Sequence, residues 1–196
     1  MTAAPPAPAS FDLHLLRHGA PMLPGRMMGR TDCAPDPAGV ADCLRQVEGL
    51  AVEHVLHSGL SRAEVPARQL AEARHLPLVC DPRWREIDFG DWDGKFAADI
   101  DADAFTRFHD DPDANAPPGG ERWSALVARV GPAIADLPRA PVLVVTHGGA
   151  MRAALAVLCG FALPQCWVVD LPYVALLSLR VWPGDHVAGQ IIGLRT

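Results

Sequence analysis

Apolar and polar positions follow two periods along this chain, and the order in which the periods appear is the first clue to its architecture. Phe11 to His18 (FDLHLLRH) is a partly alternating run that stops at Gly19, as a strand entering a loop does. After a Pro- and Gly-rich stretch, PAGVADCLRQVEGL has helical spacing, with Pro37 in its first turn and Gly49 as its stop. Val52 to Ser58 reads as a strand. Ser61 to Ala73 reads as a helix that Ser61 can cap and that Pro66 kinks or restricts to a late start. HLPLVC is a short strand.

From Asp81 to Gly120 the chain is rich in Asp, Pro and Gly and predicts loops with one helical segment, Ala98 to His109. Helical spacing returns from Gly120 to Leu137, with a bend expected at Gly131 and Pro132. PVLVVTH, Pro141 to His147, is almost continuously apolar and fits a strand covered on both faces. AMRAALAVLCG then predicts a helix ending at Gly160, and Tyr173 to Trp182 with Val187 to Leu194 predicts a hairpin-like edge joined through PGD. Strands interleaved with helices imply an α/β sandwich with a mostly parallel sheet, in which ligands bind beyond the carboxyl ends of the strands.

Composition narrows the function. At 196 residues the expectation is one domain, residues 10–196, with residues 1–9 a disordered lead and 91–120 a loop-rich cover. The formal net charge of -6 argues against a nucleic-acid partner, yet leaves room for a few arginines to dominate one pocket that takes a small anion. Cys33, Cys43, Cys80, Cys159 and Cys166 form no CxxC pair, so reduced thiols are expected. The start, MTAAPPAPAS, lacks a basic region followed by an apolar run, and every apolar run in the chain is too short for a bilayer span. A cytoplasmic protein without membrane association is the expectation; a homodimer is compatible with it.

Four polar clusters carry chemistry. Arg17, His18 and Gly19 follow the first strand directly: an imidazole held neutral can attack phosphorus, and arginine offers a fixed fork of donors to phosphate oxygens. VLHSGLSRAE places Arg62 in the first turn of a helix, where a cation is disfavoured by the dipole unless an anion lies near. LVVTHGGAMR lets His147 leave a buried strand just before Gly148 and Gly149 open a helix, a start whose free N–H groups suit an anion. WREIDFGDWDG supplies Glu86, Asp88, Asp91 and Asp93, any of which could protonate a leaving oxygen beside bound phosphate; residue type alone does not choose among them. A metal hydrolase drawing on His14, His18, His54, His57 and His147 is the rival, but His54 and His57 lack a third ligand at ordinary spacing.

Taken together and in order, LLRHG, SGLSRA, REIDFGDWDG and VVTHGG resemble the histidine phosphatase superfamily, which includes the cofactor-dependent phosphoglycerate mutases and many small phosphatases. The resemblance spans almost the whole chain. It implies a three-layer α/β/α sandwich of phosphoglycerate mutase type. It also implies His18 as nucleophile, Arg17 and Arg62 as phosphoryl clamps, His147 and Gly148 in the phosphate pocket and Glu86 as proton donor, with neither metal nor cofactor. The substrate so implied is a small phosphorylated metabolite.

GRMMGRTD resembles a segment of the α-ribazole phosphatases, which makes Arg26, Arg30 and Thr31 the candidates for substrate specificity. Two departures bear on substrate more than on activity: a Leu-Thr pair is missing after Pro35, and Gly59 stands where the family commonly has proline. A phosphoglycerate mutase and a non-catalytic phosphate-binding module are the alternatives; the former is typically longer, and the latter would not need His18 and both arginines intact.

Overall fold

In the computed structural model, which describes residues 9–184 and 186–196, six strands form one sheet in the order β3-β2-β4-β1-β5-β6. The strands are β1 (Phe11–Arg17), β2 (His54–His57), β3 (Leu78–Cys80), β4 (Val142–Thr146), β5 (Leu176–Trp182) and β6 (Ala188–Arg195). The first four in that order are mutually parallel, and the β5–β6 hairpin adds antiparallel to β1. The sheet is therefore mostly parallel, as expected. The lead expected at residues 1–9 falls almost wholly outside the described residues, as does Asp185 of the PGD joint.

Period-2 alternation sorts side chains to the two faces. Leu13, Leu15, Val142 and Val144 join the larger core, with α4 (Trp123–Ala135) and α5 (Gly148–Cys159). Leu16, Val55, Leu143 and Val145 point the other way, onto α1 (Pro37–Gln46) and α2 (Ser61–Arg74). Every residue of β4 is buried, which is why its sequence shows no alternation. A three-layer α/β/α sandwich results.

Local signals account for most boundaries. Asp36 caps α1, accepting from the Ala38 amide at 2.8 Å, with Pro37 following at the first helical position. Gly160 ends α5 in the left-handed conformation, φ 67°. Two expectations for α2 fail. Ser61 does not cap α2; it is the helix's first residue, and its hydroxyl donates to Asp32 Oδ2 at 2.8 Å, a tertiary partner outcompeting a local one. Pro66 neither ends nor delays that helix, which runs through it and buries it.

The single helix expected from Ala98 splits into a 3-10 turn, Ala97–Asp99, and α3 (Ala102–Asp110), because Asp101 caps the latter by accepting from the Ala104 amide. The short α6 (Leu163–Cys166) had no clear pattern in the sequence. Gly19 is bare for packing: a Cβ there would overlap the Gly39 carbonyl at the start of α1.

Candidate active site

Strand register assembles the site. Arg17 pairs with Thr146 and His57 with Val145, so the residues leaving β1, β4 and β2 emerge side by side at one edge of the sheet. His18, His147 and Ser58 are these residues. The His18 and His147 rings meet edge to face with centroids 5.0 Å apart, and Ser58 Oγ lies 2.8 Å from His147 Nε2.

His18 is 5% exposed, and its Nδ1 lies 2.7 Å from the Gly19 carbonyl oxygen. A carbonyl only accepts, so Nδ1 carries the proton and Nε2 keeps its lone pair. Burial first, then Arg62, push the His18 pKa down to about 3, outweighing the Gly19 carbonyl, while Arg17 adds to the lowering. His147, fully buried, is driven well below the ordinary histidine range by the same desolvation and by His18, Arg62 and Arg17. Both rings are neutral at physiological pH.

Three arginines lie at this end of the sheet, two of them acting on these rings. Arg17 donates to the Leu171 carbonyl and stacks over Tyr173, 4.4 Å from its centroid, while the same tyrosine ring sits 5.5 Å from His18. The residue that follows, Val174, has a φ of 68°, which is rare for a β-branched residue. Arg62 is completely buried and donates through both Nη atoms to the carbonyls of Met28, Gly29 and Thr31. Arg152 stacks over Trp167 at 4.2 Å; a Cβ on Gly148 would lie 3.2 Å from Arg152 Nη1 and 3.5 Å from Arg17 Cζ, so the two guanidinium groups flank that glycine. Arg17 Nε, Arg62 Nε, Arg152 Nε and His147 Nδ1 are buried without a hydrogen-bond partner within the protein, as are Arg26 Nε and Trp84 Nε1.

Glu86 alone among the four candidate carboxylates lines the cavity beside this edge, as do Arg17, Gly148 and Arg152 but not His18, His147 or Arg62. The Ile87 amide donates to its Oε1 at 2.8 Å and the Gly149 amide to its Oε2 at 3.1 Å, so the carboxylate sits at the N-terminus of α5. Asp93 instead binds the backbone amides of Gly29, Arg30 and Thr31, and Asp88 accepts from the Gly90 amide. The segment bearing Glu86 is itself held: Thr146 Oγ1 donates to the Trp84 carbonyl, and Arg129 donates to the carbonyls of Arg83, Arg85 and Glu86 and to Glu121.

The specificity candidates are placed elsewhere. Arg26 donates to the Gly94 carbonyl and stacks over Phe96, Arg30 pairs with Asp88 and Glu121, and Thr31 is bound through its backbone to Asp93 and Arg62; none lines the cavity. Their charges and backbone groups are taken up in fixing the 26–31 loop. Sequence reasoning missed Arg152 and Tyr173. Arg152 had a signal, a cation one turn into the helix opened by Gly148; Tyr173 had none, since only the pairing of β5 with β1 brings it near.

The arrangement offers a neutral nucleophilic nitrogen, clustered cations and a carboxylate at one sheet edge. Among the described residues no three His, Cys, Asp or Glu side chains gather as metal ligands, no helix is long and apolar enough to cross a membrane, and all five cysteines are free.

Comparison with known proteins defines the class. The chain belongs to the histidine phosphatase superfamily, branch 1, which residues 13–190 match. Glucosyl-3-phosphoglycerate phosphatase of Mycobacterium tuberculosis is 34% identical over 165 residues, 74% of this chain and 74% of that protein. Adenosylcobalamin/alpha-ribazole phosphatase of Escherichia coli K12 is 29% identical over 167 residues, 79% of this chain and 82% of its own length. Among solved structures, mycobacterial glucosyl-3-phosphoglycerate phosphatase complexed with inorganic phosphate superimposes with a TM-score of 0.81 at 28% identity, covering 93% of this chain and 96% of that one. Bacillus stearothermophilus YhfR gives 0.82 at 27%, covering 93% and 95%.

Proposed function

We propose that this protein is a metal-independent phosphomonoesterase that works through a covalent phosphohistidine at His18. The observation that carries the reading is the His18 ring, neutral and oriented by Gly19 so that Nε2 is free, beside Arg17, Arg62 and His147. Nε2 attacks phosphorus, forming an N–P bond as the P–O ester bond breaks. The ring acquires positive charge, and its Nδ1–H bond to the Gly19 carbonyl stabilises that charge. Arg17, Arg62 and His147 take the equatorial oxygens, with Gly148 at the start of α5 beside them; Arg152, a cation on the same glycine, adds to this field.

Glu86 gives its proton to the departing alkoxide. A water molecule then attacks phosphorus, the N–P bond breaks, and the Glu86 carboxylate takes the water's proton. His18 returns neutral and inorganic phosphate leaves. Clustered guanidinium groups supply the electrostatic role that a metal would otherwise fill.

The substrate is a small phosphorylated metabolite, with α-ribazole 5'-phosphate the first to try. The GRMMGRTD resemblance and the relative from Escherichia coli support that choice. Phosphate release from this compound in the presence of EDTA tests it. Turnover supports both metal-free chemistry and the substrate; loss of activity that added zinc or magnesium restores overturns the metal-free mechanism.

A further inference from the structure

The cavity that begins at Arg17, Glu86 and Gly148, about 270 Å³ in volume, extends between α3, α6 and the start of α4. Its polar side chains gather at one end, where Arg17, Glu86 and Arg152 face Gly148 and Gly149. The rest of the wall is mostly apolar and includes Met27, Phe89, Phe108, Trp123, Leu163 and Trp167. The exception there is His109, whose Nδ1 lies 2.9 Å from the Phe105 carbonyl and whose ring joins an aromatic row, 5.3 Å from Phe108 and 6.1 Å from Trp167.

The acidic residues of this region, Asp101, Asp103, Asp110 and Asp111, are exposed and do not line the cavity.

We propose that this pocket selects phosphate monoesters whose alcohol carries an apolar ring, with Trp167 at the mouth as a residue that sets the preference. The proposal rests on the phosphohydrolase reading, which puts the phosphoryl group at His18, beside the end of the cavity that Arg17 and Gly148 line, and so directs the alcohol along the apolar wall. A ring fills such a wall favourably. A polyol or a carboxylate buries polar groups there with few partners. Trp167, half-exposed and held by the stacked Arg152, closes the row opposite α3.

The test compares kcat/KM for benzyl phosphate, glycerol 1-phosphate and 3-phosphoglycerate, all primary alkyl esters, in the wild type and in Trp167→Ser. Benzyl phosphate is expected to be favoured roughly ten- to a hundredfold, a range set by burial of a phenyl-sized group. In Trp167→Ser that ratio should shrink at least threefold. Equal or better turnover of glycerol 1-phosphate or 3-phosphoglycerate overturns the proposal, and so does an unchanged ratio in Trp167→Ser.

If none of the three is hydrolysed, treatment with acetyl phosphate separates the causes. Acid-labile phosphate on His18 then overturns the ring preference alone, whereas its absence overturns the phosphohydrolase reading beneath it.

Discussion

The Gly149 amide donates to Glu86 Oε2 at 3.1 Å, and a Cβ on Gly149 would overlap the other oxygen of the same carboxylate. The second glycine after His147 thus makes room for Glu86 at the head of α5. Because the obstructed atom ends a flexible side chain, Gly149→Ala should fold and displace the carboxylate. Its kcat is expected to fall about 10- to 100-fold, within the range that a positioned general acid contributes. A thermal midpoint within a few degrees of wild type, measured on the same sample, separates this from unfolding.

Arg129 is expected to act on Glu86 at one remove. Its guanidinium ties three backbone carbonyls of one segment, those of Arg83, Arg85 and Glu86, to the Glu121 carboxylate. Arg129→Met leaves those carbonyls and a largely buried carboxylate without their donor and should cost about 2–4 kcal/mol of stability. Steady-state kinetics at a temperature where the variant is folded should show kcat lowered more than KM is raised, with Arg129→Lys partly restoring kcat. Unchanged kcat would make Arg129 a structural residue only.

Two strand ends and one helix start were legible because short-range rules govern them. Arg17 and His18 follow a strand pattern directly, and His147 precedes a glycine pair, so placement at the sheet's carboxyl edge followed from element order alone. What the pattern did not contain was anything set by long-range pairing. Tyr173 reaches His18 only because β5 runs antiparallel beside β1, and Ser58 reaches His147 only through the registers of β2 and β4. Ser61 and Pro66 misled for the same reason, since Asp32 and the packing of α2 override local propensity. Arg26 and Arg30 were plausible anion ligands by charge, but Phe96, Asp88 and Glu121 occupy them.

The titration of His18 follows from its burial. With the folded value near 3 and the unfolded value at 6.5, the unfolded chain takes up a proton as pH drops through 6.5 while the folded chain does not. His18 therefore lowers stability progressively from about pH 6.5 to about pH 3 and has no effect on it well above 6.5. His147 works in the same direction. In nitrogen-detected NMR of the ligand-free protein, the His18 ring should stay neutral at pH 5, and His18→Gln should flatten the fall in thermal midpoint between pH 6.5 and 4.5. A His18 ring titrating near 6.5 would contradict the buried, neutral nucleophile.

Arg62 is bound to carbonyls of the 28–31 loop while Asp93 binds amides of the same loop, so the two side chains clamp it from both sides. Lysine keeps the charge but loses the planar fork. Arg62→Lys should raise the inhibition constant for inorganic phosphate at least tenfold and open the loop to limited proteolysis near Arg30. Asp93→Asn should reproduce the proteolysis with a smaller effect on phosphate.

The central claim is most directly tested by trapping the intermediate. EDTA-treated protein mixed with radiolabelled acetyl phosphate and quenched in base within milliseconds should carry base-stable, acid-labile phosphate, and peptide mapping should place it on His18. His18→Ala should carry none and release no phosphate above background. Label on another residue, or full hydrolysis by His18→Ala, would contradict the account.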